Sequence, residues 1–133
     1  MREALRTRLL TDTVIGAAVG TRVVWGRRAQ GTAAPALVLT LVASSPDYTH
    51  DGASGLVRDR VQIDVFGRTL DEAVTLERAA TLRLHGWRGD VGDTRFFSVV
   101  VESVRDLPRD DVGTPDPLDR IVLDLTIHHR RLA

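Results

Sequence analysis

The chain has 133 residues, 43% of them hydrophobic, with 18 basic side chains balancing 18 acidic ones and no cysteine. That length suits one domain with a single core. The charge balance supplies no global field toward nucleic acid or a membrane, and the lack of cysteine excludes disulfides, thiolate metal sites and cysteine nucleophiles.

Every basic residue is arginine, which suits bidentate contacts at protein interfaces, although codon bias in a GC-rich genome produces the same pattern. No apolar run approaches the ~20 residues needed to span a bilayer, and the charged start MREALRTRLL lacks the apolar stretch of a signal peptide. The expected compartment is the cytoplasm.

In chain order, Met1 to Leu10 reads as a short amphipathic helix with Ala4, Leu5, Leu9 and Leu10 on its apolar side. Asp12 is placed to cap a second helical segment, Thr13 to Val19, which Gly20 ends. Arg22 to Trp25 predicts a short strand, and Gly26 to Pro35 a loop whose Arg27-Arg28 pair is a solvated doublet or meets an anionic partner. Ala36 to Ala43 is a near-continuous apolar run, the pattern of a strand covered on both faces. Ser44 to Gly55, dense in turn residues, predicts a long loop.

In Arg58 to Val65 the apolar Val61, Ile63 and Val65 alternate with Arg60, Gln62 and Asp64, so a strand with one buried and one wet face is expected. Thr69-Leu70-Asp71-Glu72 reads as a capping box, in which the Thr69 hydroxyl accepts the Glu72 amide and Glu72 reaches back to the Thr69 N–H. The helix that follows starts at about Leu70, buries Leu70, Ala73, Leu76, Ala80 and Leu84, and ends at Gly86. Glu77, near that stripe, either pairs with Arg58 or Arg60 or reaches water at its edge.

Arg88 to Thr94 predicts a loop, Phe96 to Val104 a strand and Pro108 to Pro117 a second long, acidic loop. Arg120 to His129 closes the sheet, with Ile121, Leu123, Leu125 and Ile127 on one face and Val122, Asp124, Thr126 and His128 on the other. The order predicts an α+β domain spanning residues 1–133: a mostly antiparallel sheet packed on one face by the central amphipathic helix and the short N-terminal helices. A crossover through the central helix between parallel strands would send the two long loops out of opposite ends of the sheet.

Chemistry-bearing constellations are sparse. Asp124 and His128 share a strand face beside His129, yet no third ligand is spaced to complete a metal site. Asp110, Asp111, Asp116 and Asp119 do not follow the spacing of a calcium loop. His50 stands beside Asp47 and Asp51 near several serines with no nucleophile elbow around them. No glycine-rich phosphate loop precedes a helix, and the few aromatics are not interleaved with arginine as a nucleic-acid surface requires. The expectation is a chain with no catalytic residue, metal or cofactor.

Taken together, LRTRLLTDTVIGAAVGTRVVWG, the apolar strand, SSPDYTHDGASGLVRDRVQIDVFGRTLDEAVTLERAATLRLHG, VESVRDLPRDD and LDRIVLDLTIHHR resemble the tail-completion, or tail-terminator, family of long-tailed phages, prophages and phage-derived gene-transfer particles. The resemblance spans nearly the whole chain. It departs from the family where Ala36, rather than an aromatic residue, follows Pro35.

What it implies is a small α+β sandwich and a structural virion role. A homo-oligomeric ring, hexameric by this resemblance, would cap the tail tube, end its polymerisation and present the face that joins a head–tail connector or neck protein. DNA would pass through the channel without sequence-specific binding, and no membrane is involved. The alternative is a head–tail adaptor; a small metal-dependent enzyme is the reading from another class. Interface candidates are Arg58, Arg60, Gln62 and Asp64 on the wet strand face, Asp47, Tyr48 and His50 in the first long loop, and Arg109, Asp110 and Asp111 in the second.

Overall fold

The computed structural model describes residues 1–26, 34–49, 52–107 and 118–132, with side chains for all of these except 47–49 and 52–54. The Arg27-Arg28 pair, His50, Asp51 and the segment Pro108–Pro117 lie outside the described residues.

Three helices and six strands follow in the order α1 (Arg2–Leu10), α2 (Thr13–Val19), β1 (Val23–Trp25), β2 (Ala36–Thr49), β3 (Gly52–Gly67), α3 (Leu70–Leu84), β4 (Gly89–Val91), β5 (Thr94–Leu107) and β6 (Asp119–Arg131). The strands form one sheet of order β1-β2-β3-β6-β5-β4 in which only the β1–β2 pair is parallel. β3 and β5 both run antiparallel to the intervening β6, so α3 belongs to a crossover between two parallel strands with a third strand inserted between them. β2 and β3 meet at one end of the sheet, whereas β5 ends beside the start of β6 at the other.

The expected long loop Ser44–Gly55 is instead strand. β2 runs on to Thr49 and β3 starts at Gly52, with Ser45 opposite Arg58 and Tyr48 opposite Ala53. Turn-rich composition lost to ladder pairing, because two strands leaving the core side by side keep exchanging hydrogen bonds. The expected loop Arg88–Thr94 likewise contains β4, which folds back on Thr94–Phe96 as a short hairpin. Of β2, Ala36 to Leu39 is buried on both faces as expected, but residues 42–46 are exposed.

β3 and β6 pair without a break from Leu56↔Arg130 to Gly67↔Asp119. The strands outside them carry bulges, after Leu41 and Pro46 in β2 and after Phe96 and Val101 in β5. Extra residues in the outer strands increase local twist, and the sheet curls.

One face of this sheet holds the core. Val61, Ile63 and Val65 of β3 and Ile121, Leu123, Leu125 and Ile127 of β6 pack with Leu5 and Leu9 of α1, Ile15 and Val19 of α2, and Ala73, Leu76, Ala80 and Leu84 of α3. The helices thus form one layer on one face, as the periodicity predicts. Among the described residues helices pack on this face alone, while the opposite face is exposed around Arg58 and Arg60 and buried at Val38, Asp64 and Val122.

The helix signals are local. Asp12 Oδ2 accepts the N–H groups of Val14 and Ile15 at 3.1 and 3.0 Å, and Gly20 closes α2 at φ 60°. Thr69 Oγ1 accepts the Glu72 N–H at 3.2 Å. The reciprocal bond differs from the expected one: Glu72 Oε1 accepts the N–H of Arg68, not Thr69, at 3.0 Å while its carboxylate also receives the Arg68 guanidinium. Leu70, expected in the buried stripe, is 49% exposed, and the buried stripe of α3 starts at Ala73. Glu77 pairs with neither Arg58 nor Arg60; its Oε1 accepts the Thr81 hydroxyl at 2.8 Å.

Candidate interaction surface

Residue parity divides β3 and β6 into two chemically different faces. On the open face, β3 presents Arg58, Arg60, Gln62 and Asp64 opposite His128, Thr126, Asp124 and Val122 of β6. Arg58 and Arg60 are exposed and make no ion pair among the described residues. They flank the end of the sheet where β2 and β3 meet, beside a shallow depression of about 330 Å³ lined by Ser45, Pro46, Leu56, Arg58 and His128.

Further along the same face the wet reading fails. Asp64 is only 7% exposed, because Arg120 Nη2 donates to its Oδ2 at 3.0 Å and Gln62 Nε2 to its Oδ1 at 3.1 Å. The Arg120 guanidinium also lies 5.6 Å from the Phe66 ring centre. A carboxylate buried this far needs a paired cation and hydrogen bonds to both oxygens. Asp64 is therefore an internal tie of the face, while Arg58 and Arg60 remain available.

Asp124, His128 and His129 do not converge. Asp124 Oδ2 accepts the Ser103 hydroxyl at 2.8 Å and faces Arg105 Nη2 at 3.3 Å. His128 Nδ1 pairs with Ser98 Oγ at 3.0 Å. His129, one residue on, belongs to the opposite face, where its Nε2–H donates to Asp59 Oδ2 at 2.6 Å. Strand alternation alone separates the two histidines, and among the described residues no group of three potential ligands gathers.

The Asp59–His129 pair is what sequence reasoning missed. Asp59 has the parity of Val61, Ile63 and Val65 and is 3% exposed, so the alternation already placed it on the helix side. The signal was present, but the partner lies 70 residues away. Of the remaining candidates, Asp47 and Tyr48 lie in the backbone of β2, and His50, Arg109, Asp110 and Asp111 fall outside the described residues.

At the other end of the sheet, residues 102–106 of β5 are exposed and carry Glu102, Arg105 and Asp106. The surface thus consists of an arginine-bearing corner at β2–β3, an ordered polar strip through Asp64 and Asp124, and a mixed-charge corner at β5. Such an arrangement can bind charged protein surfaces.

A family model described as tail completion protein gp17 matches residues 3–129. The chain belongs to the tail completion protein gp17 family. The family is one of phage-tail structural proteins. Among solved structures, a chain from "Virion of native gene transfer agent (GTA) particle" shares the fold with a TM-score of 0.75 and 19% identity, over 98% of this chain and 94% of that one. No curated protein matches the tail completion chain. No helix among its described residues is long and apolar enough to cross a membrane.

Proposed function

We propose that this tail completion protein, acting as one tail-terminator-like unit over residues 1–133, assembles as a ring of six copies on the end of a phage-type tail tube. The ring ends tube polymerisation and offers its far side to a head–tail connector or neck protein, leaving a channel through which DNA passes. The observation that carries the reading is the family match over residues 3–129.

The likeness in fold to a chain of a gene transfer agent virion supports placement in a virion or phage-like particle assembled in the bacterial cytoplasm. The open sheet face supports it as well, since a cyclic assembly needs two different lateral patches on each subunit. Arg58 and Arg60, with Asp47, Tyr48 and His50 and with Arg109, Asp110 and Asp111, contribute contacts to neighbours or to the tube. Gln62 and Asp64 support those contacts from within the face. Neighbouring subunits would complete the sandwich by covering that face.

The test is a polymerisation assay with purified tube subunit. Added at substoichiometric amounts, the protein is expected to bind one end of growing tubes and halt elongation. Elongation that continues unchanged, with binding to the head connector instead, would overturn the terminator reading and favour an adaptor.

A further inference from the structure

Three arginines line up at one corner of the open sheet face. Arg58 and Arg60 are same-face neighbours on β3, and Arg130 lies on β6 opposite Leu56, one two-residue step further along the unbroken β3–β6 ladder. All three are exposed, and among the described residues none makes an ion pair. Arg130 leans from β6 toward the start of β3, since its Nε and Cγ stand 3.6 and 3.9 Å from where a Cβ on Gly55 would be.

Beside this row is the depression of about 330 Å³ lined by Ser45, Pro46, Leu56, Arg58 and His128. Ser98 Oγ engages His128 Nδ1, which leaves Nε2 as the ring nitrogen open to a partner. The corner is therefore cationic around an apolar floor.

Carboxylates elsewhere on the face do not neutralise it. Asp64 is held by Arg120 and Gln62, and Asp124 by Ser103 and Arg105. Asp90 is held by Arg95, the residue opposite Arg130. Glu102 shares a small cleft with Arg60 but forms no ion pair with it.

We propose that this corner receives an acidic, extended segment of a partner protein, whose alternate carboxylates pair with Arg60, Arg58 and Arg130. The inference rests on the reading of this face as a contact surface and names the chemistry it meets.

Spacing, fork geometry and the apolar floor favour such a segment. Same-face residues of a strand recur every ~6.6 Å, and so do alternate side chains of an extended ligand. Carboxylates accept the guanidinium fork through two parallel hydrogen bonds. Leu56 and Pro46 offer a floor for the methylene stems of glutamate side chains, whereas contacts to a nucleic-acid backbone are made by cationic and polar groups alone. The balanced charge of the whole chain supplies no long-range pull on a nucleic acid, so the complementarity is confined to this corner.

The test titrates the full-length, ¹⁵N-labelled protein with a blocked peptide of alternating glutamate and threonine and, separately, with a short DNA duplex. Peptide-induced amide shifts are expected at Ser45, Leu56, Arg58 and Arg130. Affinity is expected to fall at least tenfold in Arg58→Glu and in Arg130→Glu, and by less in Arg58→Gln, which removes the charge without reversing it. Arg78→Glu, the same charge change on an exposed residue of α3, is expected to leave binding unchanged.

Absence of shifts at this corner, or equal weakening by Arg78→Glu, would overturn the proposal. Tighter binding of the duplex than of the peptide through the same arginines would also overturn it and assign the corner to phosphates. Because peptide binding is read without tail tubes, its failure leaves tube termination standing, and failure of termination leaves the peptide result standing.

Discussion

Arg8 and Arg83 each donate to the other's backbone carbonyl: Arg83 Nε to the Arg8 oxygen at 2.9 Å and Arg8 Nη2 to the Arg83 oxygen at 3.2 Å. The exchange ties the C-terminal turn of α1 to that of α3, where the two cations sit at the negative ends of both helices. Arg83 Nη2 also reaches Thr11 Oγ1 at 2.9 Å, and the Arg8 guanidinium lies 4.2 Å from the Trp87 ring centre. Burial, followed by repulsion from Arg83, lowers the Arg8 pKa. Two like charges face each other here across the carbonyls and the indole face, while the buried Arg8 Nε itself finds no hydrogen-bond acceptor.

Arg83→Ala is therefore expected to destabilise the fold by about 1–3 kcal/mol, the range for hydrogen bonds to a charged donor. Arg83→Lys should recover little, since one ammonium cannot reproduce the fork that serves both Arg8 and Thr11. Urea unfolding followed by circular dichroism measures both, and equal stability of Arg83→Lys and the parent chain would contradict the account.

Asp64 and Arg120 should behave as a coupled pair. Asp64→Ala leaves a cation without its partner and Arg120→Ala leaves a nearly buried carboxylate, so each single change is expected to cost about 1–3 kcal/mol. The double variant should cost clearly less than the sum of the two. A double-mutant cycle by urea unfolding reads the coupling; simple additivity would mean that the pair contributes nothing of its own.

Gly67 joins β3 to α3 at a distance that admits no side chain. A Cβ there would stand 2.7 Å from the Ala73 nitrogen and 2.9 Å from the Thr69 oxygen, both backbone atoms fixed by the helix cap. Gly67→Ala is expected to lower stability by about 1–3 kcal/mol through forced backbone movement. Thermal unfolding checks it, and an unchanged midpoint would show that the turn relaxes freely.

The pH dependence has a defined sign at Glu72. Its hydrogen bonds from the Arg68 side chain and backbone hold the carboxyl below its ordinary value of 4.5. A depressed folded-state value stabilises the fold fully above that ordinary value and is lost as pH falls through the folded one. Because the pair is at the surface, the effect is expected to stay under about 1 kcal/mol and to shrink with salt. Unfolding midpoints between pH 6 and about pH 3 at low ionic strength should fall less steeply for Glu72→Gln than for the parent; parallel curves would remove Glu72 from the account.

Much of the fold could be read from local pattern, because local chemistry decides it. The caps at Asp12 and Thr69, the turn at Gly20 and the alternation of Val61, Ile63 and Val65 depend on neighbours within a few residues. Where the outcome depended on distant partners, reading failed. Ser44–Gly55 looked like a loop until β3 supplied a ladder for it, and Asp64 looked wet until Arg120, 56 residues on, reached it. The available corner at Arg58 and Arg60 was legible, since nothing apolar alternates with those side chains on their face. The Asp59–His129 pair followed from parity but required knowing that β3 and β6 are neighbours.

The central claim is termination of a tail tube, and the most direct measurement is negative-stain imaging of tails assembled with and without this protein. The account predicts tails of uniform length when it is present and overlong tubes when it is absent. Uniform tails in both cases, with failure only at head joining, would contradict it and place the protein in the neck.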